Sequence, residues 1–114
     1  MSDRYQHIYR VIAAIPKGAV CSYGKVADLA GVPRGARVVA RALAQSPKTL
    51  CLPWHRVVRS SGEIAFPKDS AGAQEQRKRL LDEGIIVRGR RVNMRDYEWK
   101  PGVDEILFSG WTDD

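Results

Sequence analysis

The chain has 114 residues, 44% of them apolar, with 19 Lys and Arg against 13 Asp and Glu, a formal charge of +6. That length suits one domain with a modest core, and the charge favours a polyanionic partner, nucleic acid ahead of a membrane surface, or serves solubility alone. Two cysteines are too few for a disulfide framework or a four-ligand zinc site, and no apolar run approaches the roughly 18 residues of a transmembrane helix. Cys21 and Cys51 read as reduced, buried thiols of a cytosolic protein. The start, Met1-Ser2-Asp3-Arg4-Tyr5-Gln6, is too polar for a signal peptide.

Ser2 or Asp3 is placed to cap a first helix running to about Ala14, in which Tyr5, Ile8, Val11 or Ile12, and Ile15 form one apolar stripe. Ile15-Pro16-Lys17-Gly18 ends it, because Pro cannot continue a helix and Gly supplies a turn. Residues 19–22 read as extended, and Ser22 as the cap of a short helix over residues 23–30. Gly31-Val32-Pro33 breaks that helix, and Arg34 or Gly35 opens another reaching about Gln45. Helix, glycine-containing turn, helix is the helix-turn-helix pattern, whose second helix can read DNA; plain helical hairpins share it. On the second helix Ala36, Ala40 and Ala44 form one smooth face, with Arg37 and Arg41 as a ridge beside it. Such a face suits close approach to a minor groove with an inserted cation, or packing on a neighbouring helix with the arginines in water.

The loop Ser46-Pro47-Lys48-Thr49 delivers the chain to Leu50-Cys51-Leu52 and then to Pro53-Trp54-His55-Arg56-Val57-Val58. Pro53 fixes its own φ and restricts Leu52, so a rigid indole, an imidazole and a guanidinium follow one defined entry. That is a shaped aromatic wall with polar neighbours, or core. Residues 59–64 read as a turn joining two short strands, and residues 66–72 as a loop. Ser70 caps a charged helix over residues 73–83, with Leu80 and Leu81 as its core contacts and Gly84 as its stop. Ile85-Ile86-Val87 is a buried-strand candidate. Arg88-Gly89-Arg90-Arg91 is a basic turn leading to Val92-Asn93-Met94, a wing over phosphates or a solvated hairpin. Tyr97-Glu98-Trp99-Lys100-Pro101 reads as a docking segment with aromatic anchors. The domain then spans residues 1–101, with an acidic C-terminal tail over 102–114.

Five motifs in order carry a resemblance: Ile15-Pro16-Lys17-Gly18, Ser22-Tyr23-Gly24-Lys25-Val26-Ala27, Ala36-Arg37-Val38-Val39, Pro53-Trp54-His55-Arg56-Val57-Val58 and Ser60-Ser61-Gly62. Together they resemble the DNA-binding domain of the O6-alkylguanine-DNA alkyltransferases over most of residues 4–100. The resemblance implies a mostly α fold with short β-strands, a winged helix-turn-helix DNA-binding domain of the alkyltransferase type. In enzymes of that family the hexapeptide resembles Pro-Cys-His-Arg-Val, and its Cys accepts the alkyl group; here Trp54 stands at that place. The reaction needs a thiolate, a His that relays its proton and a Glu that orients the His. Trp54 cannot attack an alkyl carbon, and Cys51 lies on the far side of Pro53. Counted back from Leu80-Leu81, the place for the Glu falls on Arg77 or Lys78. With nucleophile and carboxylate both read as missing, the chain resembles the alkyltransferase-like proteins, which bind the lesion without repairing it.

By that resemblance Arg37 enters the minor groove and fills the gap left by an extruded base, with Ala36, Ala40 and Arg41 on the same DNA-facing helix. Tyr23 presses on the phosphate beside the lesion and helps rotate the nucleotide out, a step costing about a few kcal/mol and least for a weakly paired base. Trp54, with Tyr23 and Pro53, lines the receiving pocket; Ser60, Ser61, Gly62 and the loop through Lys68 complete it, Lys68 reaching toward purine acceptors. His55 and Arg56 serve as structural hydrogen-bond donors, and no residue is catalytic. Ser46 stands where the enzymes carry Asn before Pro47, and makes a weaker tie to the helix-turn-helix. The implied partners are double-stranded DNA carrying O6-alkylguanine and nucleotide excision repair proteins, a UvrA-type damage sensor if the source is bacterial. The expectation is a monomer without cofactor, metal or membrane, cytoplasmic and nucleoid-associated in a bacterium or nuclear in a eukaryote. The alternatives are an alkyltransferase using another Cys and a helix-turn-helix transcription regulator.

Overall fold

In the computed structural model, which describes residues 3–101 with Asp3 by its backbone alone, helix α1 spans Asp3–Ala14. Ile8, Val11, Ile12 and the following Ile15 are completely buried, at the spacing that puts them on one face. Ser2, one of the two expected caps, and the tail over 102–114 lie outside the described residues. Pro16 closes the helix, and Gly18 turns the chain at φ +88°. Strand β1, Cys21–Ser22, runs straight into α2, Tyr23–Leu29, because Ser22 is also the N-cap: its Oγ accepts from the Lys25 N–H at 3.1 Å.

Helix α2 ends in a Schellman motif. Gly31 takes φ +78°, its N–H donates to Asp28 O at 3.1 Å, and the Val32 N–H reaches back to Ala27 O at 2.8 Å. Val32 is thereby buried, and Gly35 caps α3, Ala36–Ala44, so close by that a Cβ on it would sit 2.6 Å from Val32 O. Helix α3 buries Val39 and Ala42, and Tyr9 Oη donates to Ala42 O at 2.8 Å, fastening α1 across it. Its other side is solvent-facing: Ala36, Arg37, Ala40, Arg41 and Ala44 are all exposed. The alanine face is therefore not spent on a neighbouring helix.

After 3₁₀ turns at Lys48–Leu50 and Trp54–Arg56, strand β2, Val57–Val58, pairs in parallel with β1, Cys21 opposite Val57 and Ser22 opposite Val58. This corrects the expected pairing of residues 57–58 across the 59–64 turn. The turn forms, with the Arg59 N–H donating to Glu63 O at 2.9 Å, but Ile64 N–H donates to Arg90 O and Glu63 bridges Arg91. Val57 and Val58 are fully buried, and the place beside β1 lets one enter the α1–α3 core and the other the core under α4. A two-stranded surface hairpin would leave one of them in water.

Helix α4, Ala71–Asp82, starts two residues earlier than the expected residue 73, with Ser70 Oγ accepting from the Ala73 N–H at 3.1 Å. It buries Ala73, Gln76 and Leu80, whereas Leu81, expected in the core, is exposed because it points roughly 100° away from Leu80 around the axis. Ile86 is likewise exposed between buried Ile85 and Val87, since an extended stretch turns successive side chains to opposite faces. The hairpin of β3, Val87–Arg88, and β4, Arg91–Val92, is antiparallel and leads to a short α5, Met94–Tyr97. The segment after it docks on Val20: the Val20 N–H donates to Tyr97 O at 2.9 Å and the Trp99 N–H to Val20 O at 2.7 Å, and Trp99 is buried in the core of α1–α3. The chain is mostly α with short strands.

Candidate functional site

The Trp54–Arg56 turn is gripped almost entirely by α4. Its own backbone closes with the Arg56 N–H donating to Pro53 O at 3.0 Å, which sends Trp54 outward and His55 into the core. Gln76, buried on α4, donates from Nε2 to His55 O at 3.0 Å and Val57 O at 2.9 Å. Glu83, the C-cap of α4, meets His55 Nε2 at 2.7 Å through Oε2 and takes Arg56 Nη2 at 2.7 Å and Nε at 3.1 Å. Its Oε1 accepts the Gly18 N–H at 3.1 Å, while Arg56 Nη1 donates to Ile15 O at 2.7 Å. Burial opposes ionisation of Glu83, but the hydrogen bonds from Arg56, His55 and the Gly18 N–H outweigh it and hold the carboxyl at about 2. Being ionised, Glu83 only accepts, so the proton of that contact sits on His55 Nε2.

This overturns the expectation that the orienting carboxylate is missing. Arg77 and Lys78, where the Glu was sought, are exposed on α4, with Arg77 Nε donating to Gly89 O at 3.2 Å and Lys78 paired to Asp82 at 3.2 Å. The Glu lies beyond the helix end, 28 residues after His55, where the Gly84 turn aims it back at the Trp54–Arg56 turn. His55 and Arg56, expected to be structural donors, form one assembly with this Glu, Arg56 donating to it and to Ile15 O and His55 meeting it through Nε2.

Trp54 is one wall of a largely apolar cleft of about 470 Å³. Tyr23 of α2, Ala40, Leu43 and Ala44 of α3, and Ala65, Phe66 and Pro67 of the following loop form the rest. Phe66 stands edge-on to the indole, ring centres 5.7 Å apart at 77°. Arg79 covers the indole from α4, its guanidinium carbon 5.4 Å from the ring centre. Burial pushes the Tyr23 phenol above its ordinary pKa, opposed in part by Arg59, so it is a neutral hydroxyl at pH 7. Of the residues singled out in the sequence, Trp54, Tyr23, Ala40 and Ala44 meet in this cleft, with Ala65, Phe66 and Pro67 from the loop through Lys68; Ala36, Arg37 and Arg41 lie on the exposed side of the same α3. Pro53 adjoins it. Ser60 is exposed, Ser61 lines a separate cleft with Arg88 and Arg91, and Lys68 stands in a third with Arg77 and Arg90. Gly62 is buried at φ +90°, where a Cβ would lie 2.0 Å from Val92 O, so its place is structural. Ser46 Oγ donates to Leu43 O at 2.9 Å, a tie to the end of α3.

Neither thiol lines the cleft. Cys21 is buried, and burial raises its pKa to about 12, which leaves it inert. Cys51, expected to be buried, is exposed: it takes the left-handed conformation, φ +50°, that ends the Lys48–Leu50 turn and sends Sγ out to Lys48 O at 3.6 Å.

Residues 3–85 match the family model described as 6-O-methylguanine DNA methyltransferase, DNA binding domain. The chain is 43% identical over 95 residues to the DNA base-flipping protein of Escherichia coli, covering 82% of this chain and 72% of that one. It is 36% identical over 106 residues to Alkyltransferase-like protein 1 of Schizosaccharomyces pombe, covering 89% and 98%. The crystal structure of the S. pombe protein with damaged DNA containing O6-carboxymethylguanine superposes with a TM-score of 0.80 at 37% identity over 89% of this chain and 98% of that one. A Mycobacterium tuberculosis alkyltransferase in complex with DNA superposes at 0.60, with 29% identity over 73% of this chain and 50% of that one.

Proposed function

The chain belongs to the 6-O-methylguanine DNA methyltransferase DNA-binding-domain family, and from that premise we propose that it is a non-enzymatic sensor of O6-alkylguanine in DNA. The observation that carries the reading is Trp54 itself. An indole walls the apolar cleft at the head of a His55–Glu83 pair, and neither thiol, Cys21 nor Cys51, lines that cleft. A cleft of 470 Å³ falls within the roughly 300–1,000 Å³ of small-ligand sites and admits a flipped purine. Its apolar lining favours an alkyl group over the bare oxygen of guanine.

The exposed side of α3 supplies the approach. Ala36, Ala40 and Ala44 let the helix sit close to a minor groove, Arg37 takes the gap left by the flipped base, and Arg41 neutralises phosphate. Tyr23, between that face and Trp54, helps turn the nucleotide inward as a neutral hydroxyl donor. The bound lesion then marks the site for nucleotide excision repair proteins, the protein acting as a monomer. The relatives bound to damaged DNA and named for base flipping support this reading over a transcription regulator.

The test pairs two measurements at one salt concentration. Anisotropy titration compares a duplex holding a single O6-methylguanine with its undamaged twin, and a methyl-labelled duplex reports transfer. The expected result is tighter binding to the damaged duplex with all label remaining on DNA. Equal affinities refute lesion recognition, and label on the protein refutes the non-enzymatic reading.

A further inference from the structure

We propose that Arg79 is a specificity-determining residue, which by covering one side of Trp54 fixes the indole and sets how strongly the cleft prefers an alkylated base. This rests on the lesion-binding reading above. Three observations lead to it. The Arg79 guanidinium carbon lies 5.4 Å from the indole centre, yet Arg79 does not line the cleft, so it covers the ring from outside while the cleft exposes the remainder. Arg79 is itself held: its Nε donates to Glu75 Oε2 at 2.7 Å, one helical turn back, which leaves the rest of the planar fork for the ring. Phe66 at 5.7 Å and His55 at 6.2 Å meet the indole edge-on at 77° and 89°, bracketing it in the remaining directions.

Glu75, Arg79 and Glu83 recur at four-residue spacing and form one stripe of α4 that continues past its end. That stripe serves all three residues of the turn: Arg79 takes Trp54, and Glu83 takes His55 and Arg56. A half-buried Trp without such a lid keeps its rotamer freedom and must lose it on binding; one already stacked presents a preformed wall. The cation also draws the indole π density toward itself, so the surface facing the cleft repels an electron-rich purine less. Both effects act only when a base enters the cleft, so they raise affinity for a flipped lesion and leave backbone binding unchanged.

The experiment measures the ratio of affinities for the O6-methylguanine duplex and its undamaged twin in the wild type, Arg79→Met and Arg79→Lys. Arg79→Met removes the cation but keeps an apolar stem, and should lower that ratio about two- to fivefold, the size of a half-exposed cation–π contact. Arg79→Lys keeps a cation and should retain most of the ratio. The Trp54 indole N–H resonance, identified by its loss in Trp54→Phe, should move in Arg79→Met. A wild-type ratio in Arg79→Met overturns the proposal. So does an equal loss on both duplexes, which would reduce Arg79 to a phosphate contact or a support of the fold. A wild-type protein with no preference for the lesion refutes the lesion reading and this inference with it, and that failure shows before any substitution is made.

Discussion

Replacing Glu83 tests the assembly that holds the site. Glu83→Ala strips Arg56 of its carboxylate while leaving it half-buried, and strips His55 Nε2 and the Gly18 N–H of their acceptor. Removing one partner of such a buried pair costs about 3–5 kcal/mol. The lowered pKa of the carboxyl, which the same contacts cause, points to a loss of similar size. Holding the carboxyl at about 2 rather than the 4.5 of an unstructured Glu is worth about 3 kcal/mol at neutral pH. A folded-state pKa that is lowered gives stability that is complete above 4.5 and lost as the pH falls toward 2. Urea unfolding of wild type, Glu83→Ala and Glu83→Gln at several pH values between 7 and 2 reads both effects. At pH 7 Glu83→Ala should lose about 3–5 kcal/mol and about 10–20 °C in Tm, with Glu83→Gln losing less because an amide still accepts. The gap between wild type and Glu83→Gln should narrow from pH 4.5 toward pH 2, as Glu83 takes up a proton first in the unfolded chain and then in the fold. A Glu83→Ala protein as stable as wild type at pH 7, or a gap unchanged down to pH 2, refutes the ion-pair account.

Trp54→Cys should turn the binder into an alkyl acceptor. The His55–Glu83 pair is in place with its proton on Nε2, which leaves Nδ1 to take the proton of the introduced thiol; the thiolate takes the alkyl carbon as the carbon–oxygen bond breaks, and the guanine leaves as its anion and regains one proton from water, the thiol proton passing to solvent through His55. Stoichiometric retention of label from O6-methylguanine DNA checks it, and adding Glu83→Gln should slow the transfer; no label on the single variant refutes the dyad reading. Arg37→Ala and Tyr23→Ala should each weaken binding to the damaged duplex more than to its undamaged twin, measured by anisotropy, without changing Tm by more than a few degrees, since Arg37 is exposed and Tyr23 half-buried. Gly62→Ala should destabilise the fold by several kcal/mol in urea unfolding, because a Cβ 2.0 Å from Val92 O must push β4 from the 59–63 turn at a φ of +90°.

The helices were legible because their signals are local. Ile8, Val11, Ile12 and the following Ile15 repeat at helical spacing, Ser22 and Ser70 cap within three residues, and Gly31 stops α2, its N–H donating to Asp28 O and the next N–H, of Val32, to Ala27 O. The pairing of β1 with β2 was not legible, because two-residue strands carry no periodicity and their partners lie 36 positions apart in the chain. At the site, Trp54, Tyr23 and the α3 face came from motif order, whereas Glu83 was missed. Arg77 and Lys78 lie ahead of Leu80-Leu81 in the helix, whereas Glu83 follows that pair at the helix end, where no motif marks a residue as reaching back to His55. The spacing of Glu75, Arg79 and Glu83 was the available signal. Phe66 falls in the loop through Lys68 that is expected to complete the pocket, and Arg90 holds that loop in place, its Nη2 donating to Ile64 O at 2.9 Å and Phe66 O at 2.8 Å; Leu43, on α3 outside every motif, had no signal of its own.

A catalytic-looking His–Glu pair in a chain proposed to do no chemistry has a physical explanation in the same bonds. Glu83 accepts from Gly18 as well as from His55 and Arg56, and Arg56 reaches Ile15 O, so one carboxylate joins the end of α1, the Trp54–Arg56 turn and the end of α4. Removing it disconnects three segments, whereas among the described residues Trp54 meets this assembly through its backbone and its ring, so exchanging its side chain leaves the Glu83 bonds in place. Reactivity and architecture are therefore separable at position 54 and inseparable at position 83. On the proposed reading, an indole at the place where the resemblance puts a reactive sulfur leaves the frame that presents it undisturbed, so the cleft would still hold a flipped base without the atom that could cut the alkyl–oxygen bond.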